Sequence, residues 1–144
     1  MSSNPTPARP PIRVSRVDVE RIESLLEQPQ YRALDTTALQ DELVRAEVLE
    51  PARMPNDVIT MNSVALVQVS DADGSRQEHE LTLVFPRDAD ADAHRVSILA
   101  PVGSALLGLR VGDAIDWPMP GGRSARLQVL AVRYQPEAAG ELHR

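Results

Sequence analysis

The residues whose types could do chemistry in this chain are its acids, histidines and serines, and their spacing restricts what that chemistry is. Asp88, Asp90 and Asp92 recur at every second position, the opening of a calcium-binding loop. Such a loop also needs a glycine at its sixth place and a bidentate acid at its twelfth. Ala93 and Leu99 stand there instead, so the run reads as a solvated acidic loop. His79, His94 and His143 contain no i, i+4 pair by which a helix could grip a metal, and His79 and His94 fall in expected strands. The serines lie in an expected cap, in turns and at strand ends, with no histidine placed to act as base. The sequence has no cysteine, which excludes disulfides, thiolate zinc sites and a cysteine nucleophile. Neither a G-x-x-x-x-G-K-[ST] nor a G-x-G-x-x-G phosphate loop occurs. What remains is Asp35 in the expected loop 28–36, with Glu27 a turn away on the preceding helix. Two acids close together can help hold a metal ion inside a partner's active site; here the tip supplies one. No catalytic residue, cofactor or metal is therefore expected of the chain itself.

Composition limits the partners. At 144 residues and 42% hydrophobic content the chain has the size of one domain, or of one small domain with an appendage. No run approaches the ~18 apolar residues of a membrane span, and prolines occupy the N-terminus where a signal peptide would be apolar, so a cytoplasmic protein without membrane contact is expected. Residues 15–50 carry nine acids against four arginines, a balance of −5 in a chain whose net charge is −6. A duplex-binding protein shows the opposite, a basic stripe, so sequence-specific nucleic-acid binding is not expected.

The elements that position these residues follow from periodicity. Four prolines in residues 1–14 predict a disordered arm. Ser15 can cap a helix with Asp18 three residues on, and Val19, Ile22, Leu25 and Leu26 follow at helical spacing. Beyond Pro29, Thr37 and Gln40 offer a second capping pair before Leu39, Leu43 and Ala46. Residues 15–50 thus predict a short antiparallel helical hairpin, a stubby coiled coil whose charge favours projection into solvent over the alternative in which both stripes cover the next domain. A linker at 51–56 leads into strand-like alternation over 57–140. There "DVITMN", "VALVQV", "HELTLVF", "HRVSILA", "VGDAIDWPMP" and "ARLQVLAVRY" are strand candidates, "DADG" and "GG" are turns, and "PVGSALLGLR" is a helix opened by Pro101. The fold class is α+β, an antiparallel sheet with one helix behind a helical hairpin. Residues 141–144 form a tail, and "QPEAAGELHR" carries no readable pattern.

Four stretches, "LLEQPQY", "MPNDVITMNS", "APVGSALLGLRVGD" and "YQPEAAG", resemble the Gre transcript-cleavage factor superfamily and, within it, the family called regulator of nucleoside diphosphate kinase. The resemblance covers about residues 12–140. It implies an FKBP-like C-terminal domain that docks at the rim of the secondary channel of RNA polymerase, and an N-terminal coiled coil directed at the polymerase active site, where acidic tip residues of Gre relatives help retain magnesium. In this chain the hairpin is shorter and its tip, with Tyr31, Arg32, Leu34 and Asp35, has no acidic neighbour for Asp35. Docking carries over, and cleavage does not.

The docking candidates implied by the resemblance are Ala100, Pro101, Val102 and Gly103. A rigid proline beside a small apolar residue gives contact area at low entropic cost; the alternative is that Pro101 only starts the helix whose Leu106, Leu107 and Leu109 are core. The expected function is a non-enzymatic, monomeric regulator that binds RNA polymerase at the secondary channel, competes there with Gre-type factors and affects nucleoside diphosphate kinase indirectly. The alternatives are a transcript-cleavage or elongation factor acting through the acidic tip, and a prolyl isomerase of the FKBP type. The latter needs an aromatic-lined pocket, and the chain has only Tyr31, Phe85, Trp117 and Tyr134 to line it.

Overall fold

The computed structural model describes residues 10–71, 73–118 and 124–141. Strand β1 (Arg13–Ser15) runs directly into helix α1 (Arg16–Leu26). Ser15 is the cap that its position predicts: its backbone is extended and its Oγ accepts from the Asp18 N–H at 3.0 Å, satisfying one of the donors a helix start leaves open. A 3-10 turn at Pro29–Tyr31 reverses the chain into α2 (Thr37–Arg45), and β2 (Glu47–Leu49) follows. The second cap is displaced by one residue from the expected pair. Gln40 Nε2 donates to Thr36 Oγ1 at 2.8 Å, and Asp35 Oδ1 accepts from the Thr37 N–H at 3.1 Å.

The N-terminal expectations need two corrections. First, the expected disordered arm does not extend to residue 14. Ile12 and Val14 are buried, β1 pairs in parallel with β2 through Val14 and Val48, and the Arg13 N–H donates to the Gly108 carbonyl at 3.4 Å. A strand of three residues is too short to register as periodicity. Residues 1–9, the rest of that arm, lie outside the described residues. Second, no coiled coil projects. Parallel neighbours require a crossover between them, and α1 and α2 supply it, with Ile22, Leu25 and Leu39 in one core with Ile59, Met61, Leu106 and Leu127. At 11 and 9 residues the helices are too short to be stable on their own seam. Turned onto the larger core, their stripes are stabilised by ~25 cal/mol per Å² of apolar surface removed from water.

The expected linker at 51–56 is packed rather than free. It begins with a 3-10 turn at Pro51–Arg53, and Pro51 and Met54 are buried. The "DVITMN" strand does not form: Val58 makes a single bridge to Arg110, and residues 60–63 close a turn in which the Ser63 N–H donates to the Thr60 carbonyl at 3.0 Å. The Ser63 hydroxyl also takes the Thr60 N–H at 2.9 Å, so the side chains there compete with strand pairing.

The sheet is built from β3 (Val64–Asp71), β4 (Arg76–Val84), β5 (Arg95–Ser97), β6 (Ala114–Pro118) and β7 (Ser124–Tyr134), in the order β5-β4-β3-β7-β6. All neighbours are antiparallel except β4 and β5. Alternate residues Ala65 and Val67 of β3, Leu127 and Val129 of β7, and Leu83 of β4 are buried in the core, as a sheet covered on one face requires. Helix α3 (Pro101–Leu106) packs against β5 and α2. The "HRVSILA" strand contracts to three residues, and His94 is not in it: with φ of 56° it ends a 3-10 turn at Ala91–Ala93. Asp90 caps that turn by accepting from the Asp92 N–H, so the aspartate run is the exposed acidic loop expected. The Gly121–Gly122 reversal lies outside the described residues.

Candidate interaction surface

The four docking candidates are held by the loop between β5 and α3. Ser97 Oγ accepts from the Leu99 N–H at 3.0 Å, Ser104 Oγ donates to the Ile98 carbonyl at 2.8 Å, and the Ser104 N–H donates to the Ala100 carbonyl at 2.9 Å. Ala100 is extended (φ −71°, ψ 148°), the conformation a residue before proline is pushed to, and Pro101 is at N1, where its missing N–H leaves nothing unsatisfied. The structure separates the quartet. Pro101 is exposed and Ala100 and Val102 are half-buried, whereas Gly103 is buried. A Cβ on Gly103 would sit 2.0 Å from the Ser97 carbonyl oxygen, so that glycine exists to let α3 lie on β5, and the accessible part of the candidate surface is residues 100–102. Leu106, Leu107 and Leu109 are core, each 1% exposed.

The tip residues are dispersed rather than gathered. Tyr31 is half-buried against the core and lines a groove of about 940 Å³ between α1 and the turn after β4, together with Arg21, Asn62, Phe85 and Arg87. Arg32 Nε donates to the Glu27 carbonyl at 3.3 Å, and Leu34 is 51% exposed. Asp35, one residue before the N-cap Thr36, accepts from the Thr37 N–H at the start of α2, and its hydrogen bonds to Thr37 hold its carboxyl below the usual carboxylate range. Among the described residues no three histidine, cysteine or acidic side chains group so as to hold a metal ion, and no helix is long and apolar enough to cross a membrane.

Sequence reasoning missed a polar seam where α1 meets the sheet domain. Asp18, 3% exposed, accepts from the Met61 N–H at 3.1 Å through Oδ2. On the same turn, the Thr60 hydroxyl donates to Glu137 Oε1 at 2.7 Å. Gln135, 3% exposed, ties the tail down by donating from Nε2 to the Pro55 and Val58 carbonyls at 2.7 and 2.8 Å. Burial, reinforced by the Glu137 charge, pushes the Asp18 carboxyl up to about 7 against the opposing effects of the Met61 N–H, Arg21 and Ser15. A signal existed. Positions 18, 22 and 25 share one helix face, so a carboxylate at 18 lies on the apolar stripe. Glu42 repeats the pattern beside Leu39 and is satisfied by Arg45 at 2.6 Å. At the rim, Arg16 Nε reaches Glu50 at 2.9 Å and its hydrogen bond holds the Glu50 carboxyl below its ordinary value.

Residues 54–134 match the family "Transcription elongation factor, GreA/GreB, C-term", and residues 10–49 match the family "Rnk N-terminus". A regulator of nucleoside diphosphate kinase from Escherichia coli is 48% identical over 136 residues, covering 93% of this chain and 97% of that protein. The chain belongs to the regulator of nucleoside diphosphate kinase family. The division between the two matches falls at the buried Pro51 turn, where the helical unit gives way to the sheet domain. A transcription elongation factor GreA from Rhodospirillum rubrum is 36% identical over 96 residues, which is 67% of this chain and 59% of that factor. The solved structure of a prokaryotic transcription elongation factor GreA/GreB from Nitrosomonas europaea is similar at 46% identity and a TM-score of 0.69, over 88% of this chain and all of that one.

Proposed function

We propose that this family member is a non-enzymatic transcription regulator that docks on RNA polymerase at its secondary channel, competes there with Gre-type factors and influences nucleoside diphosphate kinase indirectly. The names of the relatives support the class: an elongation-factor C-terminal family spans the sheet domain, and a regulator of nucleoside diphosphate kinase is similar along nearly the whole chain. The observation that carries the reading is the start of α3. Pro101 is exposed, with Ala100 and Val102 half-exposed beside it, on a loop pinned by Ser97 and Ser104, while the rest of the helix is buried. A preorganised proline and a branched apolar neighbour lose little freedom on binding. We read the sheet with its one helix as FKBP-like and the protein as a cytoplasmic monomer, with no cofactor and no direct sequence-specific contact to nucleic acid. Asp35 is already engaged with the Thr37 N–H at the start of α2, which favours docking without transcript cleavage.

The test is binding of the purified protein to core RNA polymerase, with and without a Gre factor, and with Pro101→Asp and Val102→Asp combined. The doubly substituted protein is expected to lose affinity about tenfold or more while melting as the parent does. A Gre factor is expected to displace the parent. Binding of the variant at parental affinity moves the docking surface elsewhere, and magnesium-dependent shortening of stalled transcripts by the saturating parent protein overturns the non-enzymatic reading.

A further inference from the structure

We infer that Asp18 is a proton-operated latch between the helical unit and the sheet domain, holding α1 down on the 60–63 turn when its carboxyl is protonated and loosening α1 when it is charged. The geometry brings two carboxylates to one turn, Asp18 buried and Glu137 half-buried. Asp18 reaches the Met61 N–H from α1, and Glu137 takes the Thr60 hydroxyl from the tail. Both elements close on a turn that itself has no charge to offer, since Thr60, Met61, Asn62 and Ser63 are all neutral. The groups facing Asp18 are therefore few: Ser15 below it at the helix start, Arg21 on its own helix, the Met61 N–H from the turn, and Glu137 from the tail. Arg21 is the one cation among them, and Glu137 is the one other anion. Gln135, whose Oε1 is buried without a hydrogen-bond partner among the described residues, keeps the tail clamped beside this turn through Pro55 and Val58, so Glu137 is anchored near Asp18 in space although far from it in sequence.

The direction follows from linkage. In the closed seam the Asp18 carboxyl keeps its proton to a higher pH than an exposed aspartate does. The closed state's advantage is therefore complete below the ordinary carboxylate value and is lost as pH rises through neutrality, beyond which it levels off. For opening that exposes Asp18 to water, the open-to-closed ratio rises about tenfold between pH 6 and pH 8. The Met61 N–H bonds the ionised carboxylate more strongly than the protonated carboxyl and so resists opening; what loosens α1 is the larger cost of burying the charge, with the Glu137 charge adding to it.

Hydrogen exchange of the full chain, followed by mass spectrometry in peptides covering α1 and corrected for the intrinsic pH dependence of exchange, reads this opening directly. In the parent, α1 is expected to lose protection about tenfold between pH 6 and pH 8 relative to β7. Asp18→Asn keeps an acceptor for Met61 and removes the charge, and is expected to flatten the profile with α1 held closed. Glu137→Gln, at a more exposed position, leaves Asp18 in place and is expected to move the midpoint to lower pH, because a repelling charge has gone. A flat parental profile, a slope retained by Asp18→Asn, or a Glu137→Gln midpoint that stays or rises overturns the latch. If Asp18→Asn does not fold, the parental profile and the Glu137→Gln midpoint decide.

Discussion

The start of α3 and the tip between α1 and α2 both present exposed residues, and they are built in opposite ways. At α3 the exposed proline is the outermost atom group of a buried assembly, in which Gly103 lies against the Ser97 backbone and Ser104 fastens the helix to Ile98. At the tip the exposed residues Arg32, Leu34 and Asp35 lie between the Pro29–Tyr31 turn and the Thr36 cap, held by isolated bonds such as Arg32 to Glu27. The difference teaches that exposure alone does not make a contact surface. Affinity comes from groups already fixed in the bound arrangement, and in this molecule the order lies behind residues 100–102.

That contrast can be broken by substitution. The largest effect is expected for Gly103→Ala, whose new methyl meets the Ser97 carbonyl backbone and forces α3 away from β5. A loss of roughly 3 kcal/mol or more should appear as a melting temperature lower by about 10 °C, and polymerase binding should fall with it. Ile22→Ala, at a fully buried position of α1, is expected to cost about 2–4 kcal/mol in denaturant unfolding, since its stripe is part of the common core. If the helical unit instead unfolded separately, at low denaturant, the single-core description would be wrong. Asp35→Ala is expected to give the smallest change, a fraying of the first turn of α2 in hydrogen exchange with the global melt almost unmoved. The same fraying should occur in the parent at acid pH. The Asp35 carboxyl is held below its ordinary value, so its bond to Thr37 is intact above that value and is lost as pH falls through the lowered one.

What the sequence made legible is what repeats. The Ser15 cap, the Ile22, Leu25 and Leu39 stripes, the long strands β3, β4 and β7 and the proline-led α3 all carry period or cap signals over several residues, and all are found. What was misread is short or polar. Strands β1, β2 and β5 have three residues each, fewer than any alternation needs. Charge on the outer faces of α1 and α2 suggested projection, but both helices are amphipathic enough to turn charge outward and stripe inward at once. The Asp18, Glu137 and Gln135 seam joins residues more than a hundred positions apart, and only Asp18 carried a local sign, a carboxylate on an apolar stripe. For the docking candidates, the loop was legible as a proline-led helix start, while the burial of Gly103 was not, because a glycine's reason for being small lies in the chain that passes beside it.

The contact of β1 with residue 108 bears on how the chain is made. A Cβ on Gly108 would lie 2.6 Å from the Ile12 side chain, and its carbonyl receives the Arg13 N–H. Strand β1 thus has no complete seat until Gly108, 95 positions after Arg13, has left the ribosome. Until then Ile12 lacks this cover, and in that interval a nascent chain is open to association with other apolar surfaces. The contact joins Arg13 to Gly108 across those 95 positions, a non-local step of the kind that slows folding.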